Sequence, residues 1–325
     1  MRIVAITGAT GFIGRQVVPL AVNRGYDVRI LIRPGAERKI ETRSDRLTAA
    51  RGRLSDIGSL NALTRGADLV IHLAGVAHSE VWSEEDRTKV RTVNVGGTQN
   101  VLECARENGV RRMVVASSAH VYAGQKGVDL REDSPQEAEN IYAESKIQIE
   151  QLAREASTKG LEIVIGRPCL TYGPKAAFNL LKLMQAIDRG VYVHTGGRKV
   201  LRSFGSVYSA AAAFLHLAEN GAAGEAYNIA DQEPMLLEDF TNDLADRMKR
   251  RRPRRVPYPV LWSAAAAFSA ASKVGLGGPI TLESLRKLTD SFSLSTEKLA
   301  GTGFEWPDNG ERAREDMVRA YFAGK

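Results

Sequence analysis

Short apolar segments alternate with segments of helical periodicity through the first half of the chain. Apolar runs predict strands at residues 2–7, 27–32, 46–50, 68–74, 112–117 and 161–165. Helical spacing predicts helices over residues 12–23, 57–64, 84–108 and 141–157. Near-continuous apolar strands separated by helices are typical of a parallel sheet with both faces covered. Because such crossovers are right-handed, we expect a doubly wound α/β sheet.

The alternation loosens after about residue 168, which indicates a second structural unit. We therefore expect a doubly wound domain over residues 1–167 and a smaller C-terminal α/β lobe over residues 168–325. No linker-like composition separates the two units, so their segments should be interleaved. The stretch at about 200–230 is a candidate for return to the first domain.

Composition and charge narrow the class of protein only slightly. The 325 residues are 43% hydrophobic and 26% charged, as in soluble globular proteins, and the net charge of +7 does not require a nucleic-acid partner. Cys104 and Cys169 lie far apart, which predicts free thiols and a reducing compartment. The first residues lack the charged and apolar regions of a signal peptide, so we expect a cytoplasmic protein.

One segment raises the question of membrane contact. The basic run 249–255 precedes an Ala-rich apolar stretch that continues to about residue 274. Pro257 and Pro259 interrupt the stretch, and it is short for a transmembrane helix. The favoured interpretation is a solvated helix end followed by a packed helix. Contact of residues 249–274 with an anionic membrane surface stays open as the alternative.

Three glycines, Gly8, Gly11 and Gly14, lie where the first predicted strand ends and the helical pattern of residues 12–23 begins. Glycine permits a tight turn, a close approach of the backbone to a pyrophosphate and contact between helix and strand. The start of the helix presents unpaired N–H groups and the positive end of its dipole. Because the loop joins a first strand to a first helix, it predicts a dinucleotide site at Gly8, Gly11, Phe12, Ile13 and Gly14.

The end of the second predicted strand bears on the choice of dinucleotide. A carboxylate there would bind the ribose hydroxyls and repel a 2′-phosphate. This chain has Arg33 instead, and no carboxylate occurs before Glu37. A guanidinium can pair with a 2′-phosphate or stack on adenine. We therefore favour NADP(H), with NAD(H) as the alternative. If Arg33 is only a solvated loop residue, the sequence does not distinguish the two dinucleotides.

Tyr142 and Lys146 are four residues apart in a predicted helix, so their side chains share one face. An ammonium near a phenol favours the phenolate, and we expect it to lower the pKa of the tyrosine. A hydroxyl of Ser117 or Ser118, at the end of the fifth strand, could bind a substrate oxygen. These groups form an acid/base set beside a dinucleotide that carries the hydride.

In these motifs the chain resembles the extended short-chain dehydrogenase/reductase family, in its nucleotide-sugar epimerase/dehydratase branch. Segments that carry the resemblance are residues 7–14, 70–75, 94–98, 117–122, 142–146 and 167–174. The resemblance implies that Ser118 is the catalytic hydroxyl, beside Tyr142 and Lys146, and that Lys146 also binds the nicotinamide ribose. Further cofactor contacts that it implies are Leu54, Leu73, Ala74, Gly75 and Pro168.

The resemblance also implies a nucleotide-sugar substrate and a homodimer formed through the Tyr142 helix. Asn179 and Arg202 lie in stretches similar to those that hold the substrate's diphosphate and base in the family. His78 and His120 are candidates to line the sugar pocket, and each has a loop role as an equal alternative. An aspartate common in the family is replaced by Arg53 in this chain. We expect the nearby Asp56 to act as a helix N-cap.

Several reactions are compatible with this set of residues. Dehydratases of the branch carry two acids directly after the catalytic hydroxyl, where this chain has Ala119 and His120, so dehydration is disfavoured. Two hypotheses are almost equally well supported. The first is a 4-keto-sugar reductase with exchangeable NADPH, slightly favoured by Arg33, and the second is a 4-epimerase with tightly held NAD. A ketoreductase for an apolar substrate and a non-catalytic dinucleotide sensor rank lower.

Overall fold

The computed structural model describes residues 2–76, 83–122, 126–176, 179–272 and 282–324. Its strands are β1 Ile3–Thr7, β2 Asp27–Ile32, β3 Leu47–Arg51, β4 Leu69–His72, β5 Arg112–Ala116, β6 Gly127–Leu130, β7 Glu162–Pro168, β8 Leu170–Tyr172, β9 Val193–Gly196, β10 Leu201–Arg202, β11 Phe204–Ser206, β12 Ala226–Ile229, β13 Met235–Leu236, β14 Arg254–Pro257 and β15 Phe292–Leu294. Its helices are α1 Gly14–Asn23, α2 Ile57–Thr64, α3 Glu84–Val90, α4 Gly97–Glu107, α5 Ile141–Ser157, α6 Asn179–Asp188, α7 Val207–Asn220, α8 Leu237–Arg247, α9 Tyr258–Ser272, α10 Leu282–Thr289, α11 Glu297–Ala300 and α12 Glu311–Ala323.

Seven parallel strands form the central sheet, in the order β12-β7-β5-β4-β1-β2-β3. The edge strand β3 has no buried residue, whereas the apolar residues of the other six strands are mostly buried, as the sequence pattern requires. The strand order reverses between β1 and β4, which leaves a crevice at the carboxyl ends of these two strands. The predicted doubly wound α/β fold is confirmed.

Helices cover both faces of this sheet. On one face, α1 and α7 pack against the sheet through residues such as Val17 and Phe214. On the other face, α2, α4 and α5 contribute Leu60, Val101 and Ile149 to a second core. The Ala run 210–213 in α7 is buried, and its small side chains permit a close approach of the helix to the strands.

The seventh strand, β12, lies far along the chain from the other six. It pairs in parallel with β7, and α7 before it packs against β4, β5 and β7. Residues 207–229 therefore belong spatially to the sheet. The sequence pattern had assigned no separate strand here, because a four-residue buried segment carries no periodicity of its own.

The helix predicted over residues 84–108 is interrupted. A π-helical segment, Arg91–Gly96, joins α3 to α4. Wide turns of this kind are frequent at functional sites. Here the segment includes the buried side chain of Asn94.

The smaller lobe is built around α6, α8 and α12. Its core includes a stacked aromatic pair, Phe204 and Phe240, whose ring centroids are 3.9 Å apart. A mixed sheet of order β13-β10-β15-β6 and the pairs β11–β8 and β14–β9 complete it. Within the described ranges, no helix has both the length and the apolar character needed to cross a bilayer.

Candidate active site

The glycine loop is packed so closely that side chains are excluded at two positions. Gly8 has a φ of +74°, and a Cβ atom there would lie 2.6 Å from the backbone nitrogen of Ala74. A Cβ atom on Gly14 would lie 2.1 Å from the carbonyl oxygen of Gly8. The loop thus presses α1 against β1 and the segment after β4.

The N-terminus of α1 is open to a ligand. Ile13 occupies the N-cap position and no side chain caps the helix, while its first turn contains no acidic residue. Gly11 is exposed, and Phe12 and Ile13 are half-buried beside it. Unpaired N–H groups at a helix start favour a phosphate, so these residues fit the pyrophosphate of a dinucleotide.

The other predicted cofactor contacts follow the same edge of the sheet. Leu73, Ala74 and Gly75 follow β4, the exposed Arg33 follows β2, and Pro168 ends β7. Carboxyl ends of parallel strands meet at one edge, so these residues share the side on which Gly8 lies. Leu54 packs over Gly97 of α4, where an added Cβ atom would lie 2.7 Å from the leucine Cδ1 atom. Asp56 caps α2 as predicted.

His72 is a structural residue below this edge. Its Nδ1 atom is 2.6 Å from the Thr7 hydroxyl and its Nε2 atom is 3.0 Å from the Thr98 hydroxyl. Burial, together with the charge of Lys146, lowers the pKa of His72 to about 3. The imidazole is therefore neutral and ties β4 to β1 and α4.

The catalytic candidates converge at the start of α5. Asn140 caps the helix by accepting a hydrogen bond of 3.0 Å from the Ala143 N–H. The hydroxyl of Ser118, just after β5, is hydrogen-bonded to the phenol of Tyr142. Lys146 lies one turn further, with Nζ 5.7 Å from the Tyr142 ring centroid. Ser118, Tyr142 and Lys146 thus form one cluster.

Lys146 connects this cluster to the edge that carries the glycine loop. Its Nζ atom donates a hydrogen bond of 2.8 Å to the Ala116 carbonyl. The same atom would be 3.8 Å from a Cβ atom on Gly75. The ammonium therefore lies between Tyr142 and the segment after β4.

The prediction that the pKa of Tyr142 is lowered is wrong. Burial raises the pKa of Tyr142, and the hydrogen bond from Ser118 offsets only part of this effect. The ammonium of Lys146 is directed at the Ala116 carbonyl and does not dominate the phenol's surroundings. Burial also lowers the pKa of Lys146 to about 8, against the attraction of Glu150. The phenol is therefore neutral, and the lysine is still mainly charged, at neutral pH.

Sequence reasoning included Asn94 in the segment 94–98 but gave it no role in the site, although it connects two parts of the site. Its side chain accepts a hydrogen bond of 2.7 Å from the Val76 N–H and donates one of 3.0 Å to the Val76 carbonyl. It also donates to the Ser145 hydroxyl, which in turn donates to the Tyr142 carbonyl. The segment after β4 is thereby held to α5.

Sequence reasoning also missed a buried ion pair next to the cluster. Arg167 of β7 donates two hydrogen bonds, of 2.8 and 2.7 Å, to the carboxylate of Glu150. Both side chains are almost fully buried. Ser117 and Gln136 donate to the same carboxylate. Burial opposes ionisation of Glu150, but these donors hold its pKa below the usual value. The spacing of Glu150, one helical turn after Lys146, was the available signal.

Of the predicted substrate residues, His120 lies against the cluster. The ring of His120 stands edge-on to that of Tyr142, with centroids 5.5 Å apart. Arg202 lies half-buried on β10, and Asn179 is exposed at the start of α6. Burial lowers the pKa of Arg202, against the attraction of Asp290 and Tyr192. His78 lies outside the described residues. The substrate roles stay predictions.

Comparison with known proteins agrees with this geometry. The sequence profile of the NAD dependent epimerase/dehydratase family matches residues 4–230. The chain belongs to this family. The expectations of an NAD(P)-dependent enzyme and of the short-chain dehydrogenase/reductase fold are thereby confirmed. The matched region ends just after β12, the last strand of the central sheet.

Individual relatives differ in their reactions. The N-acetyl-alpha-D-glucosaminyl-diphospho-ditrans,octacis-undecaprenol 4-epimerase of Escherichia coli O157:H7 is 25% identical over 310 residues, which cover 94% of this chain and 90% of the relative. The 4-hydroxy-2-methyl-3-oxo-4-farnesyl-3,4-dihydroquinoline-1-oxide ketoreductase of Stigmatella aurantiaca is 29% identical over 239 residues, covering 72% and 70%. A structure of a double mutant of DesIV, a dTDP-glucose 4,6-dehydratase from Streptomyces venezuelae with NAD and DAU bound, has a TM-score of 0.75 and 25% identity and covers 99% and 97%.

Proposed function

We propose that the protein is a 4-keto-sugar-nucleotide reductase, which transfers a hydride to C4 of a nucleotide-diphosphate sugar. The observation that carries the proposal is the cluster of Ser118, Tyr142 and Lys146 beside the glycine-loop edge. A proton donor, an oxygen-binding hydroxyl and a cation close to a dinucleotide site are the components that carbonyl reduction needs.

In this proposal the dinucleotide supplies the hydride and the protein supplies the proton. Tyr142 donates its phenolic proton to the C4 oxygen, and its raised pKa keeps the phenol protonated beforehand. Ser118, already bonded to the phenol, positions the same oxygen. The Lys146 ammonium stabilises the phenolate that remains after proton transfer and is close enough to Gly75 to bind the nicotinamide ribose.

The exposed Arg33 after β2 is the reason for preferring reduction, because a guanidinium that pairs with a 2′-phosphate favours an exchangeable NADPH. A 4-epimerase with tightly bound NAD removes a proton from the C4 hydroxyl in its first half-reaction and returns it in its second. The raised pKa of Tyr142 fits the proton-donating step of either enzyme. The epimerase remains the second candidate, because the Escherichia coli relative that covers 94% of this chain bears that name.

Two further candidates have lower rank. A ketoreductase for an apolar substrate is supported by the similarity to the Stigmatella aurantiaca enzyme. It would give no role to Arg202, which we propose to bind the substrate diphosphate together with Asn179, while His78 and His120 line the sugar pocket. A non-catalytic dinucleotide sensor would have no use for the Ser118–Tyr142 hydrogen bond.

We propose NADP(H) as the preferred dinucleotide. Arg33 is exposed directly after β2, where the 2′-position of the adenosine ribose would be placed. The nearest following carboxylate, that of Glu37, forms an ion pair of 3.4 Å with Arg51. A 2′-phosphate would thus meet a guanidinium and a carboxylate that already has a cationic partner.

The deciding experiment combines identification of the cofactor with a turnover assay. The purified protein is mixed with NADPH and a dTDP- or UDP-4-keto-6-deoxy sugar, and nucleotide oxidation is compared with product formation. One NADPH consumed per sugar is expected, with NADH less effective. Co-purified NAD and interconversion of C4 epimers without net oxidation would refute the reductase and support the epimerase. Tyr142→Phe is the matched inactive control.

We also propose that the enzyme works in the cytoplasm as a homodimer formed through α5. Light scattering of the purified protein tests the dimer. A monomeric mass at micromolar concentration would contradict this part of the proposal and leave the chemistry unaffected.

A further inference from the structure

Helix α9 presents an apolar face to solvent. None of the residues in the sequence of this 15-residue helix is charged. Exposed positions include Pro259, Val260, Trp262, Ser263 and Ala267, with Val260 57% and Trp262 49% exposed. At 100° per residue these positions fall within one half of the helix surface, opposite the buried Ala265. A contiguous exposed patch of this kind marks an interaction surface.

Basic side chains surround the start of the same helix. The guanidinium of Arg198 stacks on the ring of Tyr258, the first residue of α9, at 4.0 Å from the ring centroid. Lys199, next in sequence, is exposed. Arg254 is exposed on β14, which leads directly into α9, and Arg251 is exposed just before that strand. The positive end of the helix dipole adds to this charge.

The acids near this surface do not neutralise it. Asp188, Asp246 and Glu238 pair with Arg250, Arg252 and Arg255, respectively. Arg251 and Arg254 have no ion pair within the described residues. The segment before α9 therefore carries excess positive charge beside an uncharged apolar face.

The excess positive charge beside the apolar face of α9 indicates which kind of partner fits this surface. A second copy docked on the same face would bring two basic clusters together, which is unfavourable. An anionic lipid surface would attract the arginines and accept Trp262 and Val260 at its headgroup–acyl boundary. Tryptophan, with an apolar ring and a polar N–H, is suited to that boundary.

We propose that α9, with Arg198, Lys199, Arg251 and Arg254, docks the enzyme peripherally on an anionic bilayer surface. The helix lies in the plane of the interface, with its apolar face in the lipid and the basic side chains against the phosphates. This surface is separate from Ser118, Tyr142 and Lys146, so its role does not depend on the substrate proposed above.

Vesicle flotation tests the proposal with the full-length protein. Vesicles of phosphatidylcholine alone are compared with vesicles that also contain phosphatidylglycerol. We expect binding to the anionic vesicles, abolished by high salt, and a blue shift of the tryptophan fluorescence that is absent in Trp262→Ser. Arg251→Gln with Arg254→Gln should weaken partitioning about 30-fold, since each cation contributes a factor of about five. Trp262→Ser should weaken it as well.

Matched controls separate docking from general charge and folding effects. Lys159→Gln with Arg65→Gln removes the same charge from other exposed positions, and Val128→Ser removes an apolar side chain that is 59% exposed. These controls should bind like the parent, and all variants should keep the parent's circular dichroism. Failure of the parent to bind anionic vesicles would overturn the proposal. So would unchanged binding by the Arg251/Arg254 and Trp262 variants, or a dimer that Trp262→Ser dissociates.

Discussion

Replacement of Glu150 by glutamine probes the ion pair next to the catalytic cluster. The substitution keeps the size of the side chain but leaves the Arg167 guanidinium buried without its counter-charge. Removal of one partner of a buried pair costs about 3–5 kcal/mol. For a chain of this length that loss lowers the melting temperature by about 4–7 °C. Arg167 keeps its hydrogen bonds to the Tyr122 hydroxyl and the Glu132 carbonyl, so the fold should persist.

The same substitution changes the titration of Lys146, which we propose to be catalytic. Glu150 attracts the ammonium of Lys146 and so raises a pKa that burial has lowered to about 8. Without this attraction the pKa falls further, and the charged lysine is lost at a lower pH. We therefore expect kcat/KM to fall on the alkaline side in the parent as pH rises through about 8, and at lower pH in Glu150→Gln.

Thermal denaturation and the pH dependence of kcat/KM measure the two effects separately. Arg319→Gln, which breaks an exposed pair with Glu315, is the control and should change stability by at most about 0.5 kcal/mol. The double variant Glu150→Gln, Arg167→Met should lose less than the sum of the single losses, by about 1 kcal/mol or more. Additive losses, or a single loss below about 1 kcal/mol with an unmoved pH profile, would refute the reasoning.

Three more predictions address the cofactor loop and the chemistry. Tyr142→Phe should lower kcat at least about a hundredfold while dinucleotide affinity, measured by calorimetry, stays near that of the parent; near-normal turnover would remove the phenol from the mechanism. Gly14→Ala should abolish dinucleotide binding, because its Cβ would lie 2.1 Å from the Gly8 carbonyl oxygen. Gly58→Ala should bind normally, because the nearest atom to its Cβ, Asp56 Oδ1, would lie at an ordinary contact distance of 3.4 Å. Arg33→Ala should weaken NADPH binding about tenfold or more and leave NADH binding unchanged, and equal losses for both would argue against a 2′-phosphate contact.

Local patterns were sufficient to predict the sheet and the catalytic helix. Strands β1 and β4 are near-continuous apolar runs, β2 is apolar except for Asp27 and Arg29, and the bounds of α5 agree with its periodicity and its Asn140 cap. The glycine loop follows from the same logic, since a strand, a turn and a helix are adjacent in sequence. These features depend on neighbours along the chain.

Long-range features could not be predicted in this way. The stretch at about 200–230 is a candidate for return to the first domain, but nothing in the four residues of β12 specifies β7 as its partner, from which residues 169–225 separate it. The Glu150–Arg167 pair and the Asn94 hydrogen bonds likewise connect separate elements. The direction of the Tyr142 pKa shift was wrong because burial, which no local spacing reveals, outweighs the neighbouring cation.

The late position of β12 has a consequence for attempts to divide the protein. A fragment that stops at residue 167 would lack both β12 and α7, so β7 would become a bare edge and one face of the sheet would lose its Ala-rich cover. Unpaired edges of this kind recruit strands from other molecules. The central sheet is therefore complete only when α7 and β12, which follow part of the other lobe in sequence, have packed against it. Because of this chain order, the two halves form one folding unit.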